Sequence, residues 1–415
     1  VRSPRDRLRV RMNNLSENSG KRILLTGTYN SRNKGDAAME IAASLELRRR
    51  GYEVIISTPE PAIDADTYGK NNIIPASRRQ VKRGALNLIR SLLYWLTRQK
   101  RVLQNDPELV ATLEADLVVD LSGDMMTEDY GVPVALSHFQ PVLLARLLRT
   151  PYALLAQSIG PFTKTRLLAK NIIKNSVLVT AREDVTNRHL AALGLKSVPV
   201  TADIAFLLKP EPFSSPPKAE KPLRVGVSLS ELARKTHKIT GRDIVGDVFF
   251  ALNALSEEQP LEVLGIPHVT GPTCDKDDRL ILNELSDRGL SMTVLGDLSP
   301  GALKTAVSSC DVHIGARMHS NIAALSSSTP VIALSYSHKT AGIMQEFDLN
   351  DLVLNLGHFD SHDLKTLLSH AIASKEQISQ TISQRLEATI QRSYSNFDLI
   401  DTFFQTTETG VGQET

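Results

Sequence analysis

Short apolar runs alternate along the chain with longer segments whose apolar residues follow the spacing of a helix. In the first half of the chain these runs occupy 21–29, 52–58, 115–123, 151–160 and 176–182. A segment long enough for a helix separates each run from the next, as the strands of a parallel sheet require. The pattern predicts a doubly wound α/β domain.

The same pattern starts again after a proline-rich segment. The second series of apolar runs occupies 223–230, 261–268, 291–297, 310–317 and 330–336. Before it, residues 209–222 hold five prolines and no periodicity, which is typical of a linker. We therefore predict two Rossmann-like domains that face a cleft, at 21–208 and 223–408.

Composition narrows the class of protein. With 41% hydrophobic and 23% charged residues among 415, and no long apolar run, the chain is predicted to be globular and cytoplasmic. The formal net charge of +2 gives no overall field that would favour nucleic acid. The two cysteines, Cys274 and Cys310, lack metal-ligand spacing and fit a reducing compartment. The basic start, 1–20, is predicted to be disordered, and the polar tail, 409–415, to be flexible.

The segment 78–101 contains eight lysine or arginine residues, no acidic residue and the only tryptophan of the chain, Trp95. One interpretation is an amphipathic helix that packs on the N-terminal sheet and turns a basic face to solvent. The other is a peripheral contact with anionic lipid headgroups, or with a lipid-linked substrate, at the inner face of the cytoplasmic membrane. Length and composition do not separate the two.

The loop after the first strand, "TGTYNSRNKGDAAM", is rich in Gly and Asn and leads into a helix. Free N–H groups at such a helix start can approach a ligand closely. The loop is neither a dinucleotide fingerprint nor a P-loop. Asp36 is either the N-cap residue of this helix or a ligand for sugar hydroxyls.

Other strand ends of the first domain carry polar side chains. Gln157, in "AQSIGPF", offers neutral hydrogen bonds, and Arg182 places a cation at the end of an apolar run. That arginine is held either by an ion pair or by an anion from the cleft. The stretch 120–131, which ends the apolar run at 115–123, carries four acids, which strand-end loops can turn toward a ligand: Asp120, Asp124, Glu128 and Asp129.

The stretch "DVHIGARMHSNIAALSSSTPVIALSYSHKT" predicts strand, turn, helix and strand. Arg317 and His319 fall at the first strand-to-helix turn, where helix N–H groups favour anions, and Lys339 follows the next strand. Three groups of this kind at one sheet edge predict a site for a compact polyanion. His313 lies within the strand and is predicted to be a packed residue.

In their order, these motifs resemble those of the polysaccharide pyruvyltransferase family. The match covers about 22–350 and includes "NKGDAAM", "QSIGPF", "ARED", "DIAF", and Arg-x-His followed by Pro-Val and Tyr-x-x-Lys. The resemblance implies a GT-B-like fold, with the acceptor on the domain at 21–208 and the donor on the domain at 223–408. It also implies transfer of a pyruvyl group from phosphoenolpyruvate to two hydroxyls of a sugar in a cell-envelope or exported glycan, forming a cyclic ketal and releasing phosphate.

The resemblance also implies roles for individual residues. His319 is the expected general acid, and Asp36 or one of the acids at 120–129 is the expected base. The expected donor-binding residues are Arg182, Arg317 and Lys339. The expected acceptor-binding residues are Asn33, Gly35, Asp36, Asp124 and Gln157. Phosphoenolpyruvate is expected as a co-substrate, with no metal and no other cofactor.

Two alternatives stay open at this stage. A GT-B glycosyltransferase that uses a nucleotide sugar would place Arg317 and Lys339 on the diphosphate and Glu346 on the ribose. A glycan-binding relative would keep the fold and lack turnover.

Overall fold

The computed structural model describes residues 20–214, 222–271, 276–335 and 338–408. The predicted disordered start, apart from Gly20, lies outside these ranges, and so do the tail and residues 215–221 of the predicted linker.

The chain forms two compact units, and their boundaries differ from the predicted ranges in three places, at 32–38, 205–208 and 391–408. The first unit comprises Val1–Ser31, Met39–Ile204 and Gln391–Thr415. The second comprises Arg32–Ala38 and Ala205–Ile390. The loop segment Arg32–Ala38 therefore belongs to the second unit, although in sequence it lies inside the first.

The first unit contains a six-stranded parallel sheet in the order β3-β2-β1-β4-β5-β6. Its strands are β1 (Arg22–Thr26), β2 (Glu53–Thr58), β3 (Ile73–Pro75), β4 (Leu117–Asp120), β5 (Tyr152–Gln157) and β6 (Leu178–Ala181). The strand order reverses between β1 and β4, so the carboxyl ends of these strands flank the crevice where open α/β sheets bind ligands.

The second unit repeats this topology. Its strands are β7 (Leu223–Ser228), β8 (Leu261–Gly265), β9 (Met292–Val294), β10 (Val312–Gly315), β11 (Val331–Ser335) and β12 (Val353–Asn355), all parallel, in the order β12-β11-β10-β7-β8-β9. The predicted fold class is confirmed. Each of the ten predicted runs contains a strand, and the structure adds the short edge strands β3 and β12.

Fifteen helices connect the described strands. In chain order they are α1 (Lys34–Arg49), α2 (Pro61–Tyr68), α3 (Val81–Thr97), α4 (Pro107–Glu114), α5 (Val132–Leu148), α6 (Arg166–Lys174), α7 (Asp184–Ala192), α8 (Glu231–Lys238), α9 (Ile244–Glu258), α10 (Asp278–Asp287), α11 (Pro300–Ser308), α12 (Met318–Leu325), α13 (His338–Glu346), α14 (Ser361–Ala373) and α15 (Lys375–Glu408). Within the described ranges, none of them is both long and apolar enough to cross a membrane.

The central strands explain why the sequence forms these sheets. Every residue of β4, β5, β10 and β11 is buried. Helices on both faces of a parallel sheet bury its strands, which therefore appear in sequence as continuous apolar runs. The C-terminal part of the last helix, α15, belongs to the first unit, where Asn396 accepts a 2.6 Å hydrogen bond from the Thr180 hydroxyl of β6.

Candidate functional site

The candidate site of the second unit lies at the carboxyl ends of β10 and β11. These strands pair in parallel, with Gly315 opposite Ala333. Arg317 and His319 follow β10, and Lys339 is the second residue of α13, which follows β11. Since neighbouring parallel strands end at the same edge of a sheet, the structure puts these three groups on one edge, as predicted.

Gly315 lets the chain turn sharply from β10 into α12. A Cβ at this position would lie 1.9 Å from Oδ1 of Asn321 and 2.7 Å from Oγ of Ser320. The first turn of the helix therefore folds back against the strand end and leaves no room for a side chain. This turn sets Arg317 as the residue before α12 and His319 in its first turn.

Arg317 is held by a carboxylate that the sequence did not single out. Its Nη2 donates to Oδ1 of Asp278 at 2.6 Å and its Nε to Oδ2 at 3.2 Å. The Asp278 side chain is 1% exposed and Arg317 is 25% exposed, so the pair has one buried end and one open end. Burial raises the pKa of Asp278, and the guanidinium of Arg317 opposes that shift. Asp278 therefore fixes the direction of a half-buried cation.

The segment Arg32–Ala38 packs directly against this site. The N–H of Lys34 donates to the carbonyl of His268 at 2.8 Å, and the N–H of Thr270 donates to the carbonyl of Arg32 at 3.1 Å. Asn33 and Val269 form the antiparallel bridge between the two bonds. These bonds explain why the segment belongs to the second unit.

Gly35 touches the ring of His319. A Cβ built on Gly35 would lie 2.2 Å from Nδ1 and 2.5 Å from Cγ of that imidazole. No side chain fits between the two residues, so the glycine of "NKGDAAM" sets the position of the histidine ring. Asn33 and Gly35 were predicted on the acceptor side of the N-terminal domain, and the structure instead places them in the second unit beside His319.

The predicted N-cap role of Asp36 is wrong. Helix α1 begins at Lys34, so Asp36 is the third residue of its first turn. The side chain of Asn33 takes the capping position, because its Oδ1 accepts a 3.2 Å hydrogen bond from the N–H of Gly35. Asp36 is thereby left with its other predicted role, as a ligand for sugar hydroxyls or a base.

A second histidine, His268, lines the same cavity as His319. Its Nδ1 lies 3.2 Å from the carbonyl of Ile266 and 3.3 Å from Oγ of Ser228. Burial, with smaller contributions from neighbouring cationic groups, lowers the pKa of His268 to about 3. The residue is therefore a neutral imidazole in the folded protein.

A cavity of about 20 Å³ lies beside His319 and His268, with Lys34 and Lys304 in its wall. That volume accommodates about one water molecule. Lys304 donates a 2.7 Å hydrogen bond to the carbonyl of Leu208, and burial lowers its pKa to about 8. The Nζ of Lys34 pairs with Asp297 at 2.5 Å. Neither lysine was predicted: Lys304 lies on α11, away from the strand ends, and Lys34 lies within "NKGDAAM", a motif in which only Asn33, Gly35 and Asp36 were singled out.

His313 is fully buried in β10, which confirms the prediction that it is a packed residue. Burial lowers its pKa to about 3, so it is uncharged in the folded protein. It lies at the opposite end of the strand from the turn at Gly315.

The first unit holds Arg182, which was predicted to bind the donor together with Arg317 and Lys339. Its Nη1 pairs with Oδ2 of Asp203 at 2.6 Å, and each side chain is 1% exposed. Its Nε donates to Oγ of Ser158 at 2.8 Å. Of the two interpretations of Arg182, the structure therefore contains the ion pair: Asp203 of the "DIAF" motif is the nearer partner, and the adjacent Glu183 lies 3.7 Å from Nε.

Gln157 and Asp120 form a buried pair at the ends of β5 and β4. The Nε2 of Gln157 donates to Oδ1 of Asp120 at 2.6 Å, and both residues are fully buried. Burial raises the pKa of Asp120 to about 6. The pair lies beneath Gly27, where a Cβ would be 2.8 Å from Oδ2 of Asp120. The structure thus gives Gln157 a supporting position, and its acceptor-binding role stays a prediction.

The other acids of the loop at 120–129 have different environments. Asp124 is half-buried and accepts a 2.7 Å hydrogen bond from the hydroxyl of Tyr130. Glu128 accepts hydrogen bonds from Thr163 and Thr165, which lower its pKa to about 2. Glu128 therefore holds the 163–165 loop, and Asp124 is better placed to meet a ligand.

Two sheets of this topology, with a cationic strand-end site in the second, define a GT-B-like α/β protein. The solved structures that it resembles agree. A UDP-GlcNAc 2-epimerase from Neisseria meningitidis matches with a TM-score of 0.60 at 10% identity, over 93% of this chain and 100% of that one. A glycosyltransferase from Rickettsia africae matches with a TM-score of 0.58 at 11% identity, over 92% and 99%. At these identities the likeness concerns the fold alone.

The sequence itself specifies the family. The model of the polysaccharide pyruvyl transferase family matches residues 33–338, and the chain belongs to that family. It is also 23% identical over 402 residues to the amylovoran biosynthesis protein AmsJ of Erwinia amylovora, covering 88% of this chain and 95% of that protein. The predicted family and the predicted transferase class are confirmed.

Proposed function

We propose that this protein transfers a pyruvyl group from phosphoenolpyruvate to two hydroxyls of a sugar in an exported polysaccharide, forming a cyclic ketal. The family membership and the similarity to an amylovoran biosynthesis protein support the acceptor class. The observation that carries the proposal is the contact of Gly35 with His319 beside the Arg317–Asp278 pair. In this arrangement Gly35 fixes the imidazole of His319, which can carry a proton, and Asp278 fixes the cation of Arg317.

The charge of the donor matches this site. Phosphoenolpyruvate carries a carboxylate and a phosphate, and guanidinium and ammonium groups are the side chains that bind both. Arg317, oriented by Asp278, would bind one anionic group, and Lys339, which follows the neighbouring strand, would bind the other. Arg182 already has its charge matched by Asp203, so the proposed donor set is Arg317, His319 and Lys339.

The chemistry requires that carbon 3 of the enol phosphate gains a proton. His319 would donate it, because imidazole exchanges protons near neutral pH. Carbon 2 then becomes an oxocarbenium-like centre, which the first sugar hydroxyl attacks while losing its proton. The phosphate leaves with its C–O bond electrons, and the second hydroxyl closes the ketal. Two hydroxyl protons are released in all. One of them replaces the proton that His319 gave to carbon 3, where the methylene became a methyl group. The other leaves with the phosphate.

A base must accept the hydroxyl protons. Asp36 follows Gly35, the residue in contact with His319, and it is half-buried in the first turn of α1. Of the acids at 120–129, Asp120 is fully buried and Glu128 is engaged by threonines, which leaves the half-buried Asp124 and the exposed Asp129 as further candidates. We propose Asp36 as the base.

The test is the release of inorganic phosphate from phosphoenolpyruvate, measured with and without an acceptor oligosaccharide. We expect acceptor-dependent release, and loss of that release in His319→Gln, which keeps a polar side chain of similar length. We also expect a rise in melting temperature with phosphoenolpyruvate and none with UDP- or GDP-sugars. Stabilisation by nucleotide sugars alone would favour the glycosyltransferase alternative, and glycan binding without phosphate release would favour the non-catalytic one.

A further inference from the structure

Helix α3 of the first unit packs through its polar face. Its buried residues are Gly84, Asn87, Ser91 and Tyr94, spaced three or four apart. A Cβ on Gly84 would lie 2.9 Å from Nε2 of Gln140 on α5, so the two helices approach closely there. Small and polar residues thus fix how the helix lies on the protein. The first interpretation of 78–101, an amphipathic helix packed on the sheet with a basic face to solvent, is right about the helix, but the helix packs against α5 through this small and polar face.

The apolar residues of α3 point to solvent instead. They are Val81, Leu86, Ile89, Leu92, Leu93, Trp95 and Leu96, and each is at least 43% exposed. This one helix carries seven of the fifteen large hydrophobic side chains that are exposed in the described part of the chain. At 100° per residue, all but Trp95 fall within one face centred near Ile89. A continuous exposed apolar surface of this kind marks a contact site.

Positive charge surrounds this apolar surface. The segment 78–105 contains no acidic residue, and Lys82, Arg98, Lys100 and Arg101 are exposed at the two ends of the helix. The basic residue Arg83 is different, because it is held internally by Asp106 at 2.7 Å. Exposed lysine and arginine at both ends of an apolar stripe complement an anionic surface.

We propose that the α3 surface docks on an anionic lipid bilayer, with the helix lying in the plane of the headgroups. Its apolar stripe would enter the acyl boundary while the terminal cations meet lipid phosphates. A second copy of this chain fits less well, since a twofold interface would bring the same cations of both copies together without any acid from this segment. The inference concerns a surface in the first unit and does not depend on the proposed transfer chemistry.

Trp95 provides a direct probe, because it is the only tryptophan of the chain and is 43% exposed on this helix. The full-length protein is titrated with vesicles of phosphatidylcholine alone and of phosphatidylcholine with phosphatidylglycerol. We expect a blue shift of tryptophan emission, and co-sedimentation, with the anionic vesicles. Neutral vesicles should give neither, and high salt should reverse the binding.

Two kinds of variant separate the apolar and ionic contributions. Ile89→Asp should weaken vesicle binding by roughly tenfold or more, since it removes the central apolar contact. Lys100→Gln with Arg101→Gln should weaken it by about 30-fold, at roughly fivefold for each cation lost from an anionic surface. Leu167→Asp is the matched control, because Leu167 is 83% exposed on α6 of the same unit, and it should bind as the wild type does.

All of these positions are exposed, so melting temperature and phosphate release with a soluble acceptor should not change in any variant. The proposal is overturned if anionic vesicles cause neither shift nor sedimentation, or if Leu167→Asp weakens binding as much as Ile89→Asp. It is also overturned if the wild type forms a dimer that Ile89→Asp dissolves while vesicles do not bind.

Discussion

The contact between Gly35 and His319 predicts the effect of one added methyl group. In Gly35→Ala the new Cβ would stand 2.2 Å from the imidazole nitrogen, where ordinary contacts begin near 3.4 Å. The ring must therefore move by more than about 1 Å. A displacement of this size in a catalytic group costs on the order of 100-fold in rate. We expect Gly35→Ala to lower kcat for phosphate release by about that factor.

A double-mutant cycle separates displacement of the ring from general damage. His319→Ala removes the two ring atoms that the new methyl group would meet most closely, Nδ1 and Cγ, and leaves the Cβ of residue 319 at 3.0 Å. The melting temperature of Gly35→Ala should therefore recover when His319→Ala is added, and the double variant should have the activity of His319→Ala alone. Gly342→Ala is the control, because a Cβ on this helical glycine meets nothing within 4 Å. Wild-type kcat in Gly35→Ala, or strictly additive stability changes, would refute the argument.

Three further predictions concern the first unit. Asp203→Ala should lower the free energy of unfolding by about 3–5 kcal/mol in urea titration, because it leaves Arg182 buried without its partner; a loss below 1 kcal/mol would contradict the pair. Gly27→Ala should cost about 2–4 kcal/mol, since its φ is +102° and a Cβ would lie 2.6 Å from the backbone nitrogen of Ser122, whereas an unchanged midpoint would show that the loop adapts. Folding raises the pKa of Asp120 from 3.8 to about 6, so the folded state binds the proton more tightly than the unfolded state does. This preference contributes about 3 kcal/mol to stability below pH 4, and the contribution is lost as the pH rises to 6. The difference in stability between wild type and Asp120→Asn should therefore change across pH 4–6, and a constant difference would count against that shift.

Much of the fold could be predicted because buried parallel strands leave continuous apolar runs in sequence. All ten such runs contain strands. The edge strands β3 and β12 were missed because three residues are too few to form a recognisable run. The strand-end positions of Arg317 and His319 were also predictable, since a strand followed by a glycine turn and a helix places its next residues at the sheet edge.

The remaining features depend on tertiary pairing. Asp278 precedes Arg317 by 39 residues, and nothing in the local pattern joins them. The bonds between Arg32–Ala38 and residues 268–270 likewise link distant segments, so Gly35 was assigned to the other domain. The two interpretations of helix α3 stayed open for a related reason. An amphipathic pattern shows that a helix has two faces, and only the packing of α5 decides which of them is buried.

The proposed reaction forms a pyruvate ketal from phosphoenolpyruvate on the acceptor glycan. Mass spectrometry of the acceptor oligosaccharide after incubation with purified protein detects this product. We expect a mass increment of one pyruvyl ketal, dependent on phosphoenolpyruvate, matched by one phosphate released and absent with His319→Ala. A glycosyl increment from a nucleotide sugar, or an unchanged glycan that the protein nevertheless binds, would contradict it.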